Sequence, residues 1–415
     1  MTKSSLFLLF SIMGVASAYG QDASVESGRA VFEAECSRCH VPVDMNARVR
    51  ANWTGRTGGD LYNLIRTTMP AETPGSLTND DYLHLTAYLL QNGGVPVAGG
   101  TLTADALIAL PVTPMAASAA GSDTAEWAAF NGTNAATRYA PLDQINAANV
   151  ATLTQAWSFD TGPFGPEPEN TSVTTPLMVD GRVYLTAGAT RNVVALDAAS
   201  GQMLWMWRPD EGARFDAAPR KGSGKGLTYY DNNGQKTIYV MTPGYYLVAL
   251  DAATGREIES FGDKGWVDLQ QGLRRGPGRE DLDIGMSFMP MAVDGMVIAG
   301  AAHLVGMRPI SASNVKGDIR GFDATSGQLL WTFKTIPEAG EEGYESWLAG
   351  ADITGNAGVW APMSADEELG LVFLPVEAAT GDRYGGDRPG NNLFSSSTVA
   401  LNYKTGEKVW HFQTT

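Results

Sequence analysis

The chain has 415 residues, 44% hydrophobic and 18% charged, a composition that supports a true apolar core and excludes a disordered polymer. Two domains are the natural expectation at that length. The formal net charge of −16 gives a surface that repels polyanions, which excludes nucleic acid and anionic lipid as partners.

Taken in chain order, residues 1–18 read as a secretory signal. Lys3 supplies the positive start, Leu6 to Val15 the apolar run, and Ala16-Ser17-Ala18 the small-residue cleavage site. The run is short of the roughly 20 residues that a membrane span needs. No later segment is apolar enough to cross a bilayer, and no Cys near the cleavage site offers a lipid anchor. The expectation is removal of the signal and a periplasmic protein with no transmembrane segment in its mature chain.

Residues 24–92 carry helical patterns. Val25 and Phe32 share a helical face with Cys36. Thr78-Asn79-Asp80-Asp81 reads as a capping box that opens a helix bearing Tyr82, Leu85, Leu89 and Leu90, which Gly93-Gly94 would end. Within this domain, Cys36-Ser37-Arg38-Cys39-His40 is the most specific signal of the chain. Two thiols two residues apart can bond both vinyl groups of one haem, and the adjacent His40 then supplies an imidazole to the iron. A thioredoxin-type pair would lack the trailing His, and a zinc site would need more Cys or His close by. Cys36 and Cys39 are the only cysteines, so no structural disulfide is expected.

The second axial ligand should follow His40. Met69, in Thr67-Thr68-Met69-Pro70, is the favoured candidate; Met45 is very close to the attachment site, and His84 lies inside the last amphipathic helix as a packing or surface residue. A thioether ligand raises the reduction potential and suits electron transfer. With its attachment motif, Met-Pro loop and closing helix in that order, the segment resembles class I c-type cytochromes, which implies haem c held by Cys36, Cys39, His40 and Met69. Residues 93–125, rich in Ala, Gly, Pro and Thr, read as a linker, in which Ala104 to Leu110 offers one short helix.

From residue 126 to 415 the chain repeats itself. Ala195-Leu196-Asp197 to Ser200-Gly201 and Trp205 returns as Ala249-Leu250-Asp251 to Thr254-Gly255, as Gly321-Phe322-Asp323 to Ser326-Gly327 and Trp331, and as Ala400-Leu401-Asn402 to Thr405-Gly406 and Trp410. Each copy is a strand end, an Asp or Asn, a Ser/Thr-Gly turn and a second strand that opens on an aromatic residue, although Glu259 stands where the second copy would have its Trp. Pro176, Pro290 and Pro362 each precede an Asp by four residues and open a further short strand pair. Units of this length must pack side by side to bury their faces, which predicts four-stranded blades of a β-propeller. A β-sandwich with chance similarity in its turns is the alternative, and four copies in register weigh against it. The last residues, Val409 to Thr415, stop in mid-strand, so the propeller is expected to be incomplete at its C-terminus.

This region resembles the propeller of pyrroloquinoline-quinone-dependent dehydrogenases of the glucose and quinate type. Arg138-Tyr139-Ala140-Pro141-Leu142, Val359-Trp360-Ala361-Pro362-Met363 and Tyr384-Gly385-Gly386-Asp387-Arg388-Pro389 carry the likeness beside the repeats. The resemblance implies that Trp360 stacks on the planar quinone, that Lys225 supplies positive charge to it, and that Thr380 is a ligand to a calcium or magnesium ion. Each has a plainer reading, as a core indole, a solvated loop lysine and a turn threonine. The Asp-Asn metal pair of the family is replaced here by Ala301-Ala302-His303, and a lone His such as His303 is more often a packing residue. The catalytic Asp of the family is expected beyond Thr415, so no catalytic residue is assigned within this chain. The vicinal Cys pair of methanol and ethanol dehydrogenases is missing.

The overall expectation is a multidomain chain, a small all-α cytochrome c domain followed by an all-β propeller. It would oxidise a sugar, polyol or other alcohol with quinone and pass electrons through the haem to an external cytochrome or respiratory chain. The alternative is a non-catalytic propeller, either a scaffold or a degenerate quinoprotein, beside an electron-transfer cytochrome.

Overall fold

The computed structural model describes residues 22–38, 40, 49, 56–112, 126–161, 164, 169, 172–276, 284–303, 313–381 and 384–414. Contacts divide the chain into two compact units, the small one reaching residue 112 among the described residues and the large one taking in those from 126 onward. The signal segment, Met45 and Cys39 lie outside the described residues. No helix among the described residues is long and apolar enough to cross a membrane.

The small unit is built on helices α1 (Val25–Val31), α2 (Gly58–Thr68), α3 (Asn79–Asn92) and α4 (Ala104–Ala109). The start of α3 is fixed as its sequence predicts: the Thr78 hydroxyl accepts from the Asp81 amide while the Asp81 carboxylate accepts from the Thr78 amide. Thr57 and Asp60 form the same device at α2, a box that sequence reading passed over. The buried side of α3, with Tyr82, Leu83, Leu85, Leu89 and Leu90, packs with Phe32, Leu61 and Ile65 into one core. α1 continues into a π-helical turn over Phe32–Cys36, which carries Cys36 to the edge of that core.

The stretch read as a linker needs correction in its first half. Val95, Leu107 and Val112 are buried in the small unit's core, and strand β1 (Ala23–Ser24) pairs with β2 (Thr101–Leu102). The composition looked loose, but its few apolar residues are spaced so that α4 lays Leu107 against the helices.

The large unit is β throughout its regular structure apart from short helical turns. Four four-stranded antiparallel sheets occur among the described residues, each running in chain order. The first is β3 (Leu177–Val179), β4 (Arg182–Ala187), β5 (Asn192–Asp197) and β6 (Met203–Trp207); the second is β7 (Thr228–Asn232), β8 (Gln235–Met241), β9 (Tyr246–Asp251) and β10 (Trp266–Asp268). β11 (Ile284–Gly285) and β14 (Ala302–His303) form a separate short pair, and the third sheet is β12 (Met291–Val293), β13 (Met296–Ala299), β15 (Ile319–Asp323) and β16 (Leu329–Phe333). The fourth is β17 (Ser364–Asp366), β18 (Leu371–Val376), β19 (Ser397–Asn402) and β20 (Lys408–Gln413). Three apolar cores join them in sequence, first to second, second to third and third to fourth, which is the side-by-side blade packing expected of a propeller.

The repeated turn is what locks blade to blade. The Asp197 carboxylate accepts the Ser200 amide and hydroxyl at 2.8 Å each, and Asp251, Asp323 and Asn402 hold their own turns in the same way. Each turn then receives an aromatic donor from the chain before it, three of the four from the preceding blade. Trp205 Nε1 donates to the Ala252 carbonyl at 3.1 Å and Trp331 Nε1 to that of Tyr403 at 3.0 Å. Trp157 does the same to Ala198, a copy of the pattern that the sequence reading missed because its own turn is not repeated. Gly201 shows why the turn needs Gly: its φ is +69°, and a Cβ there would sit 2.5 Å from the Trp157 ring. At the turn of Asp323, where Glu259 breaks the pattern, two residues divide the missing indole's work. The Tyr239 hydroxyl donates to the Ala324 carbonyl, and the Phe261 ring packs against Gly327.

Candidate functional site

Two sites emerge, one in each unit. In the small unit, Cys36 is half-buried at the end of the π-turn, and the His40 amide donates to the Cys36 carbonyl at 2.9 Å, so the attachment segment closes a tight loop. Arg38, between the two cysteines of the motif, pairs with Glu72 at 3.3 Å and ties this loop to the segment just after Met69. Met69 caps α2, and its carbonyl accepts the Tyr82 hydroxyl at 2.6 Å, which anchors the Met-Pro loop to α3. Thiol, imidazole and thioether thus lie on segments that the fold ties together, with Met69 and His40 both partly exposed. That donor set fits a covalently attached haem. His84, by contrast, accepts the Ser24 amide at its Nδ1 at 3.0 Å and serves packing.

In the large unit, a cavity of about 390 Å³ is lined by Trp360, Phe288, Glu169 and the loop Arg220 to Lys225. That is within the range of small-ligand pockets, roughly 300–1,000 Å³. Its aromatic wall is two rings in edge-to-face contact, Phe288 and Trp360, with centroids 6.1 Å apart. Phe288 is nearly buried, whereas Trp360 is 44% exposed, so its indole is an open apolar surface and not a core residue. Lys225 holds its ammonium 5.8 Å from the Phe288 ring centre, while Lys221 turns away to the Asp216 carbonyl at 2.9 Å.

The loop is held from beneath. Arg191, 1% exposed, donates from Nε to the Gly222 carbonyl at 3.1 Å, from Nη2 to that of Arg220 at 2.9 Å, and from Nη1 to those of Met241 and Met286 at 2.8 and 2.5 Å. Burial lowers its pKa to about 10, against the opposing fields of Glu211 and Glu169. From the other side the Ser223 amide donates to Glu169 at 2.6 Å. Arg220 lines the cavity itself; burial pulls its pKa below the usual range while the Glu377 carboxylate pushes back.

An open indole facing a rim of Arg and Lys suits a flat ligand carrying several carboxylates, and pyrroloquinoline quinone has that chemistry. The donor set for a divalent ion is poorer. His303 is wholly buried in β14 and does not line the cavity, and its carbonyl accepts from Arg220. Thr380 is buried, does not line the cavity either, and has a hydroxyl oxygen with no hydrogen-bond partner among the described residues. No group of three His, Cys, Asp or Glu suited to a metal occurs among the described residues. Sequence reasoning reached Trp360 and Lys225 and missed Arg220, Glu169, Phe288 and Arg191. The crowding of three cations among three glycines, Arg220-Lys221-Gly222-Ser223-Gly224-Lys225-Gly226, was the available signal for Arg220.

A family model described as glucose/ethanol/alcohol dehydrogenase, beta-propeller domain, matches residues 127–415. One described as cytochrome C oxidase, cbb3-type, subunit III, matches residues 23–89. Among curated proteins, the glycerol dehydrogenase large subunit of Gluconobacter oxydans is 34% identical over 304 residues, covering 70% of this chain and 39% of that protein. Quinoprotein glucose dehydrogenase A of Acinetobacter calcoaceticus is 29% identical, covering 74% and 40%. Among solved structures, a quinohemoprotein alcohol dehydrogenase from Comamonas testosteroni superposes with a TM-score of 0.57 at 26% identity, covering 70% of this chain and 41% of that one. The chain therefore spans about two fifths of the length of the relatives it matches.

Proposed function

The chain belongs to the glucose/ethanol/alcohol dehydrogenase family of quinoprotein β-propellers, with a cytochrome c domain ahead of the propeller, and from that premise we propose that it serves a periplasmic quinohaem dehydrogenase acting on a sugar, polyol or other alcohol. The observation that carries this reading is the open Trp360 indole across a cavity from a cationic loop, in a chain that also bears Cys36-Ser37-Arg38-Cys39-His40. Bound there, the quinone supplies a two-electron acceptor for a CH–OH donor, and haem supplies a one-electron carrier.

The residues of this chain bind and orient. Trp360 offers a flat apolar face, and Lys225 and Arg220 offset carboxylate charge. Glu169 and Arg191 hold the loop in place. In the small unit, Cys36, Cys39, His40 and Met69 would hold the haem, and the imidazole and thioether together would favour a raised potential suited to passing electrons outward to an external acceptor. Periplasmic export is supported by Lys3, the Leu6 to Val15 run and Ala16-Ser17-Ala18. Glycerol, glucose and simple alcohols are the first substrates to try, because they are the substrates named for the relatives.

The test is spectroscopic. Full-length protein carrying haem is loaded with quinone and calcium, mixed with a panel of these compounds, and followed at the haem α-band. Substrate-dependent reduction that disappears in Trp360→Ala is the expected result. A quinone-loaded protein whose haem responds to dithionite but to no substrate would remove the dehydrogenase reading.

A further inference from the structure

We propose that Arg220, positioned by the buried Arg191, is the cation that anchors the quinone in this chain, and that quinone binding here needs no divalent ion. This rests on the reading of the cavity as a quinone pocket. Three observations carry it.

The first is the use made of Arg191. A fully buried guanidinium is costly to desolvate and survives only where its donors are well satisfied. All four of the bonds described for Arg191 go to backbone carbonyls, and they join both walls of the cavity: Arg220 and Gly222 on the loop, and Met286 just ahead of Ser287 and Phe288. Gly224 wraps the same group, since a Cβ there would lie 2.8 Å from both Arg191 Nε and the Ser287 carbonyl oxygen. One side chain therefore sets where residue 220 stands relative to the aromatic wall.

The second is the Arg220 side chain. It lines the cavity, donates through Nη2 to the His303 carbonyl, and keeps a buried Nε with no hydrogen-bond partner among the described residues. A buried donor without an acceptor is expensive, so the guanidinium is under-compensated where it meets the cavity, and its charge draws a ligand carboxylate or quinone oxygen to that wall.

The third is what that guanidinium excludes. The resemblance assigns a metal to the neighbourhood of residues 301–303, yet the His303 carbonyl there is already taken by a cation. A divalent ion at that carbonyl would face like-charge repulsion in a poorly screened site. The described residues offer it no acidic cluster in exchange.

The experiment titrates pyrroloquinoline quinone into the full-length protein, read by quenching of tryptophan fluorescence, once after dialysis against EDTA and once with excess calcium. Kd should agree within about twofold between the two. Arg220→Gln should weaken binding roughly tenfold to a hundredfold, the scale of one lost charge-assisted hydrogen-bonding group, and Arg220→Lys should recover part of it in both buffers. Arg191→Lys, which keeps the charge but loses the fork, should weaken binding without lowering the thermal midpoint as far as Arg191→Met does. Quinone binding that EDTA abolishes and calcium restores overturns the proposal, as does an Arg220→Gln protein that binds like the wild type. A wild-type protein that binds quinone in neither buffer removes the pocket reading itself, which separates the two failures.

Discussion

The two units of this protein build their sites by opposite means. In the small unit the candidate haem ligands run from Cys36 to Met69, and capping boxes, a π-turn and one ion pair between near segments arrange them. In the large unit the cavity draws on Glu169, the loop from Arg220, Phe288 and Trp360, which come from four different stretches of the blades and their connections. A site defined by contiguous covalent chemistry carries its own label. A pocket assembled by packing is made of residues that look ordinary until the blades bring them together.

That contrast can be attacked at both ends. The largest effect should come from replacing Cys36 and Cys39 together with Ala, which should abolish covalent haem, seen as loss of haem staining on a denaturing gel. Quinone quenching of tryptophan fluorescence should survive the change; its loss would mean that the two sites are not independent. Next is Trp205→Ala. Trp205 is fully buried and bonded to the next blade's turn, so removal should destabilise the propeller by about 3–5 kcal/mol, measured as the urea midpoint of its unfolding. The haem spectrum should hold steady through that range. A loss below about 1 kcal/mol would show that the repeated indole is not what locks the blades.

A smaller effect comes from Lys316, whose ammonium is buried and donates to the Ala351 and Thr354 carbonyls at 2.5 and 2.9 Å. Burial, with Arg274 nearby, lowers its pKa to about 8. Because the folded value lies below the unfolded one, near 10.4, the unfolded chain binds more protons between them. Stability should therefore rise from pH 8 toward pH 10 by roughly 2–3 kcal/mol, and the penalty should be fully present below pH 8. Lys316→Met should flatten that slope in urea titrations at several pH values. An unchanged slope would assign the pH dependence to other groups.

Much of the architecture was readable. The Asp, the Ser/Thr-Gly turn and the aromatic that follows recur because each turn must present a carbonyl to its neighbour's donor, a demand that leaves a trace in every copy. The trace breaks at Glu259, where Tyr239 and Phe261 meet the same demand from other positions, and a pattern search has no means of seeing that exchange. The linker reading failed over residues 93–112 for the same reason in reverse, since a few apolar residues in a loose composition suffice when a finished core is there to receive them.

What the sequence determined by itself was the chemistry that acts over short range: the attachment motif, the helix caps and the turns, where one residue bonds another three or four positions away. What the tertiary structure alone decided was which charges are buried and what they face. Arg191 and Lys316 are ordinary basic residues in the linear chain. Only the folded blades set the desolvation they bear and the carbonyls that compensate it, because that free energy depends on segments tens of residues distant and not on the residues beside them.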